Sequence, residues 1–436
     1  MDATNLEPLP ILVFSNLLMV AFLFLLGRKG LREPYTFRPW RRYLVILVSM
    51  VFCLFSFWGT DWFHYAEMYF NILYVSGFNT SLESVYTVIA AISPNYLVFR
   101  AIIWGVALYL LCLLFRHVTV SGDLLLALFC ALWLIDFSYG RIVMAYTMMY
   151  LGASVLMKPV KDKRLLSLML GTGLLVLSLF FHKTALFGVA LVVLALFPRL
   201  LNKRTFVLIM FMYPFVLLLV QLLLMQFMDT AVDTSENSSS SAAGQAYLND
   251  DTQEIGPAYL LYLILRYIPY YMVAWIAYKV NRPTPDPSLE GGEDGDGNGN
   301  DNGNGNGDGN GNGDGNGDGN GNGNENVNSF PYKGKSEGGR GGYEEEVPSE
   351  VRFFARLTVY IVLVSTIFLF DLGANTLTLY MRFLMYAFIP ACVVLAWAWQ
   401  HEYRMRMVKL TFLLGIAGTF YALLYSFYIS YMGVAS

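Results

Sequence analysis

Charge is scarce in this 436-residue chain, with Asp, Glu, Lys and Arg making up only 14% of it. Cysteine is scarcer, at four residues. Cys53, Cys112, Cys130 and Cys392 each sit inside an apolar run, with no CxxC pair and no nearby His to complete a metal site, and they read as inert packing residues. Outside one glycine-rich tract, the histidines and carboxylates present no HExxH, paired-His or DxD pattern, so no catalytic metal is called for. Walker A and GxGxxG patterns are absent as well; soluble nucleotide chemistry is unsupported, and neither a cofactor nor a nucleic-acid partner is implied. A basic n-region is also missing. The first apolar run, Ile11 to Gly27, follows Asp2 and Glu7 and precedes a strongly basic loop, which predicts a retained first span rather than a cleaved signal peptide.

What the chain does have is apolar sequence. Hydrophobic residues make up 56%, and a Gly/Asn/Asp tract near 291–326 dilutes the average, so the remainder is more apolar still. A membrane span needs roughly 20 mostly apolar residues. The runs at 8–27, 43–58, 95–115, 123–138, 141–157, 164–181, 184–199, 205–228, 258–278, 353–371, 379–399 and 409–430 meet or approach this. The expected fold is therefore all-α, a polytopic integral membrane protein with about 12 transmembrane helices.

Basic content alternates between the connecting loops. GRKGLREPYTFRPWRR, RHVTVSGD, KPVKDKR, PRLLNKR, KVNRP and HEYRMRMVK are positive, whereas 59–94, 229–257 and 371–378 are acidic or neutral. With the positive set in the cytoplasm, every span agrees and both termini lie outside. The organisation expected is transmembrane helices over 1–278 with outside loops at 59–94 and 229–257, a cytoplasmic loop at 279–352, and C-terminal transmembrane helices over 353–436. The DGDGNGN tract in the cytoplasmic loop starts like an EF-hand at Asp294, Asp296 and Asn298, but Gly305 stands where the bidentate Glu is required. Its composition predicts a disordered linker.

Ionisable groups at helix ends are not scattered under this topology. Asp61, His64, Glu67 and Glu83 fall in the first outside loop, Arg100 near the outer end of span three, and Asp136 and Arg141 beside the turn between spans four and five. His182 and Lys183 follow span six, and Asp371 and Arg382 bracket the last outside turn. Arg266 is about two turns into its span, roughly 12 Å along the axis, and Pro269 withdraws a backbone donor three residues later, leaving a carbonyl for an adjacent polar cavity to satisfy. GTDWFHYAEMYFNILY is aromatic enough for a helix lying in the interface, with Asp61, His64 and Tyr65 on one face. A carboxylate at the membrane surface beside several cations suits a general base, which singles out Asp61.

GTDWFHYAEMYF, Glu83 in SLESVYTVIAAISPNYLVFRA, FSYGRIVMA, FHKTALF and LYMRFLMYAF, in that order, resemble the EpsG-like, Wzy-type family of bacterial polysaccharide polymerases. These motifs cover most of 43–200 and the last spans, leaving out the Gly/Asn tract and the loop at 229–257. The resemblance implies a GT-C-like glycosyltransferase that joins polyprenyl-pyrophosphate-linked repeat units at the outer face of the cytoplasmic membrane. Its expected partners are lipid-linked oligosaccharides and membrane lipid, and a chain-length-regulating co-polymerase is left open. Pyrophosphate calls for fixed guanidinium forks. The resemblance assigns this role to Arg141, Arg266 and Arg382, with Arg100 and Lys183 as helpers. It makes Asp61 the base for the acceptor hydroxyl, with His182 sharing that duty or binding phosphate, and it puts Trp62, Tyr65 and Glu83 against the glycan. A flippase for lipid-linked glycans, a glycan ligase and an export scaffold are the competing readings; no repeat in the span pattern supports the flippase.

Overall fold

The computed structural model describes residues 39–55, 66, 69–70, 84–134, 142–157, 164–182, 185–196, 257–281, 347–367 and 380–432. Asp61, Trp62, His64, Tyr65, Glu67, Glu83, Asp136, Arg141, Lys183 and Asp371 lie outside the described residues, as do the runs at 8–27 and 205–228 and the loop at 229–257. Contacts divide the chain into two units, 1–282 with 347–436, and 283–346; every described residue belongs to the first.

Among the described residues all regular structure is helical. The helices are α1 Pro39–Phe55, α2 Ser84–Ile92, α3 Tyr96–His117, α4 Gly122–Leu132, α5 Ile142–Met157, α6 Arg164–Phe181, α7 Ala185–Leu196, α8 Pro257–Val280, α9 Ser349–Ile367, α10 Tyr380–Gln400 and α11 Met405–Met432. Four of them, α3, α6, α10 and the Met405–Leu424 part of α11, are long and apolar enough to cross a membrane, while α4, α5 and α7 are apolar but shorter. The expected span at 164–181 and helix α6 have the same bounds. Within the expected spans at 123–138 and 184–199 the described residues form helices of 11 and 12 residues, and residues 135–138, 184 and 197–199 lie outside the described ones. The short helix α2 lies within the segment read as an outside loop.

Local chemistry starts and stops these helices. Asn95 accepts from the Val98 amide at 2.9 Å and caps α3, whose last turn carries Arg116 and His117 where the helix dipole favours cations. Ser121 caps α4, with Asp123 in its first turn.

Helices apolar on all sides belong in a core. In α4 every residue from Leu124 to Leu132 is buried, and in α5 every residue from Val143 to Val155. The Phe388–Ala398 stretch of α10 is buried throughout. By contrast α6 buries one stripe, Ser167, Gly171, Leu175, Ser178 and Phe181, and turns its other faces outward. That stripe meets α5 where a Cβ on Gly152 would stand 2.7 Å from the Gly171 carbonyl oxygen, so the two backbones touch.

Candidate functional site

Three sets of contacts join helix ends that carry sequence-predicted residues. The first is aromatic. The Tyr69 hydroxyl donates to the Ser93 carbonyl at 2.8 Å, and its ring lies 5.6 Å from both Tyr96 and Phe99. Tyr86 of α2 bridges Phe99 at 6.1 Å and Phe181 at 6.0 Å. The segment after α1, the helix that follows Glu83, the start of α3 and the residue before His182 thus share one cluster. His182 is half-buried; its amide ends α6 on the Ser178 carbonyl at 3.2 Å, and its own carbonyl accepts from Ala185 at the start of α7.

The second set joins the starts of α5, α7 and α10. The Tyr146 hydroxyl donates to the Arg382 carbonyl at 3.4 Å, Tyr150 donates to the Tyr386 carbonyl at 2.5 Å, and the Phe187 and Phe383 rings stand 4.4 Å apart. The helices that follow FSYGR and FHKT are therefore neighbours of the one that carries MRFLMYAF, although the three are far apart in sequence. The Arg382 residue is exposed.

The third set surrounds Arg266, which is 4% exposed. Its Nη1 donates to the Leu132 carbonyl at 3.1 Å and to the Thr419 hydroxyl at 3.2 Å, while Thr419 in turn donates to the Leu132 carbonyl at 3.3 Å. Leu132 is the last residue of α4. A helix that stops short of the interface leaves carbonyls with no water to receive them, and a guanidinium is well suited to take their place. Tyr267, the next residue, packs edge-on to Tyr380 at 5.7 Å, and Tyr380 donates to Tyr271 at 3.2 Å, which connects this set to the second.

The same arrangement recurs at Arg100 and Arg356. Arg100, 2% exposed, gives Nη2 to the Cys53 carbonyl near the end of α1 at 2.5 Å and Nη1 to the Tyr96 hydroxyl at 3.3 Å, with its guanidinium 4.4 Å from the Trp104 ring. Arg356 of α9 gives Nε to the Ala195 carbonyl near the end of α7 at 3.2 Å. Nothing in the local sequence of Arg356 distinguished it, because its partner carbonyl belongs to a helix 161 positions away. Thr419 was missed for a related reason: a lone hydroxyl in an apolar run reads as a packed residue.

One expectation about α8 is corrected. The carbonyl that Pro269 leaves without its helical donor belongs to Leu265. It faces the backbone of α11 at Gly418, where an added Cβ would collide with it, rather than a polar cavity. The missing side chain lets the two helices close to contact distance, where a Cα–H can point at the carbonyl.

Thr419→Val keeps the shape of the side chain and removes the hydroxyl from the Arg266–Leu132 bridge. It is expected to lower stability by about 1–3 kcal/mol, since a buried donor and acceptor each lose a partner, whereas Thr419→Ser stays near wild type. Thermal unfolding of purified protein in detergent reads both.

Among the described residues, no group of three or more His, Cys, Asp and Glu could hold a metal ion. The basic turns after α3 and α10 and the end of α8 meet elsewhere, where the Ser121 amide donates to the Gln400 side chain at 3.0 Å and Arg404 covers Trp275. A sequence model of the EpsG family matches residues 40–284, more than half of the chain. The match takes in α8 with Arg266 and the loop at 229–257, which the short motifs had left out, and it stops before Arg382. No curated protein and no solved structure matches the chain.

Proposed function

Since this chain belongs to the EpsG family and is a helical membrane protein of polysaccharide biosynthesis, we propose that it is a polysaccharide polymerase working on lipid-linked repeat units at the outer face of the cytoplasmic membrane. The observation that carries the proposal is that aromatic contacts pair the helices bearing Arg100, His182, Arg266 and Arg382: Tyr69 and Tyr86 on Phe99, Tyr86 on Phe181, Phe187 on Phe383, and Tyr267 on Tyr380. A GT-C relationship belongs to the same proposal.

In this reading the acceptor sugar hydroxyl attacks the anomeric carbon of the donor glycan. The new glycosidic C–O bond forms as the anomeric bond to the pyrophosphate oxygen breaks. The hydroxyl proton passes to the Asp61 carboxylate, and polyprenyl pyrophosphate leaves with the bonding electrons. Arg382, whose backbone carbonyl makes its structural contact, offers its side chain to the pyrophosphate. Arg141 and Lys183 complete that contact, and His182 takes a second phosphate oxygen or shares the proton. Arg100 and Arg266, with Nη donors committed to helix ends, act on the leaving group through their charge, which carries far in a low-dielectric interior. Trp62 and Tyr65 offer ring faces to the sugars, and Glu83 a carboxylate to their hydroxyls.

Purified protein in nanodiscs with synthetic lipid-linked repeat units is expected to produce a ladder of longer glycans and to release polyprenyl pyrophosphate. Asp61→Asn is expected to abolish the ladder while the protein stays folded. Movement of the lipid across a vesicle without a ladder would establish the flippase instead.

A further inference from the structure

Two cations share one aromatic side chain, Trp275, near the end of α8. Lys279 lies one turn beyond Trp275 on α8, with Nζ 5.6 Å from an indole ring centroid. Arg404, from the turn between α10 and α11, brings its guanidinium carbon to 4.8 Å from the same residue's ring, with its Nε on the Tyr403 hydroxyl at 3.4 Å. Neither cation has a carboxylate partner among the described residues. Arg406 and Lys409, in the first two turns of α11, are exposed beside them, and Glu402 is the single acid of the turn.

The turn holds Arg404 in a defined place. Glu402 at φ 53° and Arg404 at φ 48° both take the left-handed conformation, which a side-chain-bearing residue adopts only where its surroundings hold it there. Tyr403 donates its amide to the Ala398 carbonyl at 2.9 Å, and the rings of His401 and Tyr403 lie 4.9 Å and 5.5 Å from Trp397. Four cations, Lys279, Arg404, Arg406 and Lys409, against the one acid Glu402 leave a net positive charge, and an anion among them lowers their mutual repulsion. Leu410 and Leu413, each one turn beyond Arg406 and Lys409, are exposed at 46% and 63%. A ligand held by the cations therefore meets apolar surface next, which matches a headgroup followed by acyl chains better than a free phosphate.

We propose that Lys279, Trp275 and Arg404 bind the headgroup of an anionic phospholipid, with Leu410 and Leu413 beneath its acyl chains. This site is independent of the polymerase reading. The full chain, purified in mild detergent and offered phosphatidylglycerol and phosphatidylcholine in equal amounts, is examined by native mass spectrometry. Wild type is expected to retain the anionic lipid about tenfold or more over the neutral one, given about 1 kcal/mol for each basic side chain at the surface. The Lys279→Gln/Arg404→Gln pair is expected to lose that preference. Arg164→Gln removes an exposed cation at the start of α6 and is expected to keep it. The proposal is overturned if the paired variant retains phosphatidylglycerol as wild type does. It is equally overturned if Arg164→Gln loses as much, which would make the preference one of general charge, or if free glycerol phosphate displaces the lipid, which would make this a soluble-phosphate site.

Discussion

Gly418→Val is expected to prevent recovery of folded, monodisperse protein, or to lower its stability by about 3 kcal/mol or more. The added Cβ would run into the Leu265 carbonyl and lie 3.2 Å from the Arg266 Cα. Both obstacles are backbone, so no rotamer change makes room and α11 has to move off α8. That movement also draws Thr419 away from Arg266 and uncovers the end of α4. Gly173→Ala on α6 is the matched control, since nothing lies within 4 Å of a Cβ there. It is expected to be neutral or to stabilise by about 1 kcal/mol through the better helix propensity of alanine. Unfolding temperatures in one detergent compare the two, and a Gly418→Val protein that melts with wild type would mean that α8 and α11 do not touch at this position.

Arg382→Ala is expected to lower polymerisation by about two orders of magnitude or more, the cost of one lost contact to developing negative charge. The melting temperature is expected to fall less than for Arg266→Ala, because Arg382 is exposed and alanine still supplies the backbone carbonyl that Tyr146 bonds. Arg382→Lys should recover only part of the rate, since an ammonium cannot form the two-pronged contact of a guanidinium. Arg266→Ala is expected to behave differently and to lose stability together with activity, because the Leu132 carbonyl and the Thr419 hydroxyl lose their shared donor. Measuring kcat, KM and unfolding on the same preparations separates a side chain that meets substrate from one that holds a helix end. Equal destabilisation by both alanine variants would place Arg382 with Arg266 as a packing residue.

Residues that interact along their own segment were the readable ones. A long apolar run with turn residues at both ends is a helix whatever surrounds it, and α3, α6, α10 and α11 lie where hydropathy puts them. The motif residues were readable as well, because Arg or His inside apolar sequence is costly and stands out. The stopping point of α4 was not readable. The chain continues into apolar sequence, yet the helix ends at Leu132, whose carbonyl is reached by Arg266 from a distant helix, and Arg356 reaches the Ala195 carbonyl of α7 from as far away. Hydropathy records the cost of leaving water; a carbonyl's partner from 134 or 161 positions away leaves no trace in it.

By itself the sequence determined that this is a helical membrane protein of the EpsG family with cations at its helix ends, since composition and short-range spacing decide partition into lipid and local folding. Only the tertiary structure decided what those cations do within the protein. It commits Arg100 and Arg266 to the carbonyls of α1 and α4, leaves Arg382 exposed, and sets Arg404 on Trp275. The reason is physical: a guanidinium in an apolar interior is stable only where acceptors or rings surround it, and those partners belong to other helices, brought within reach by packing.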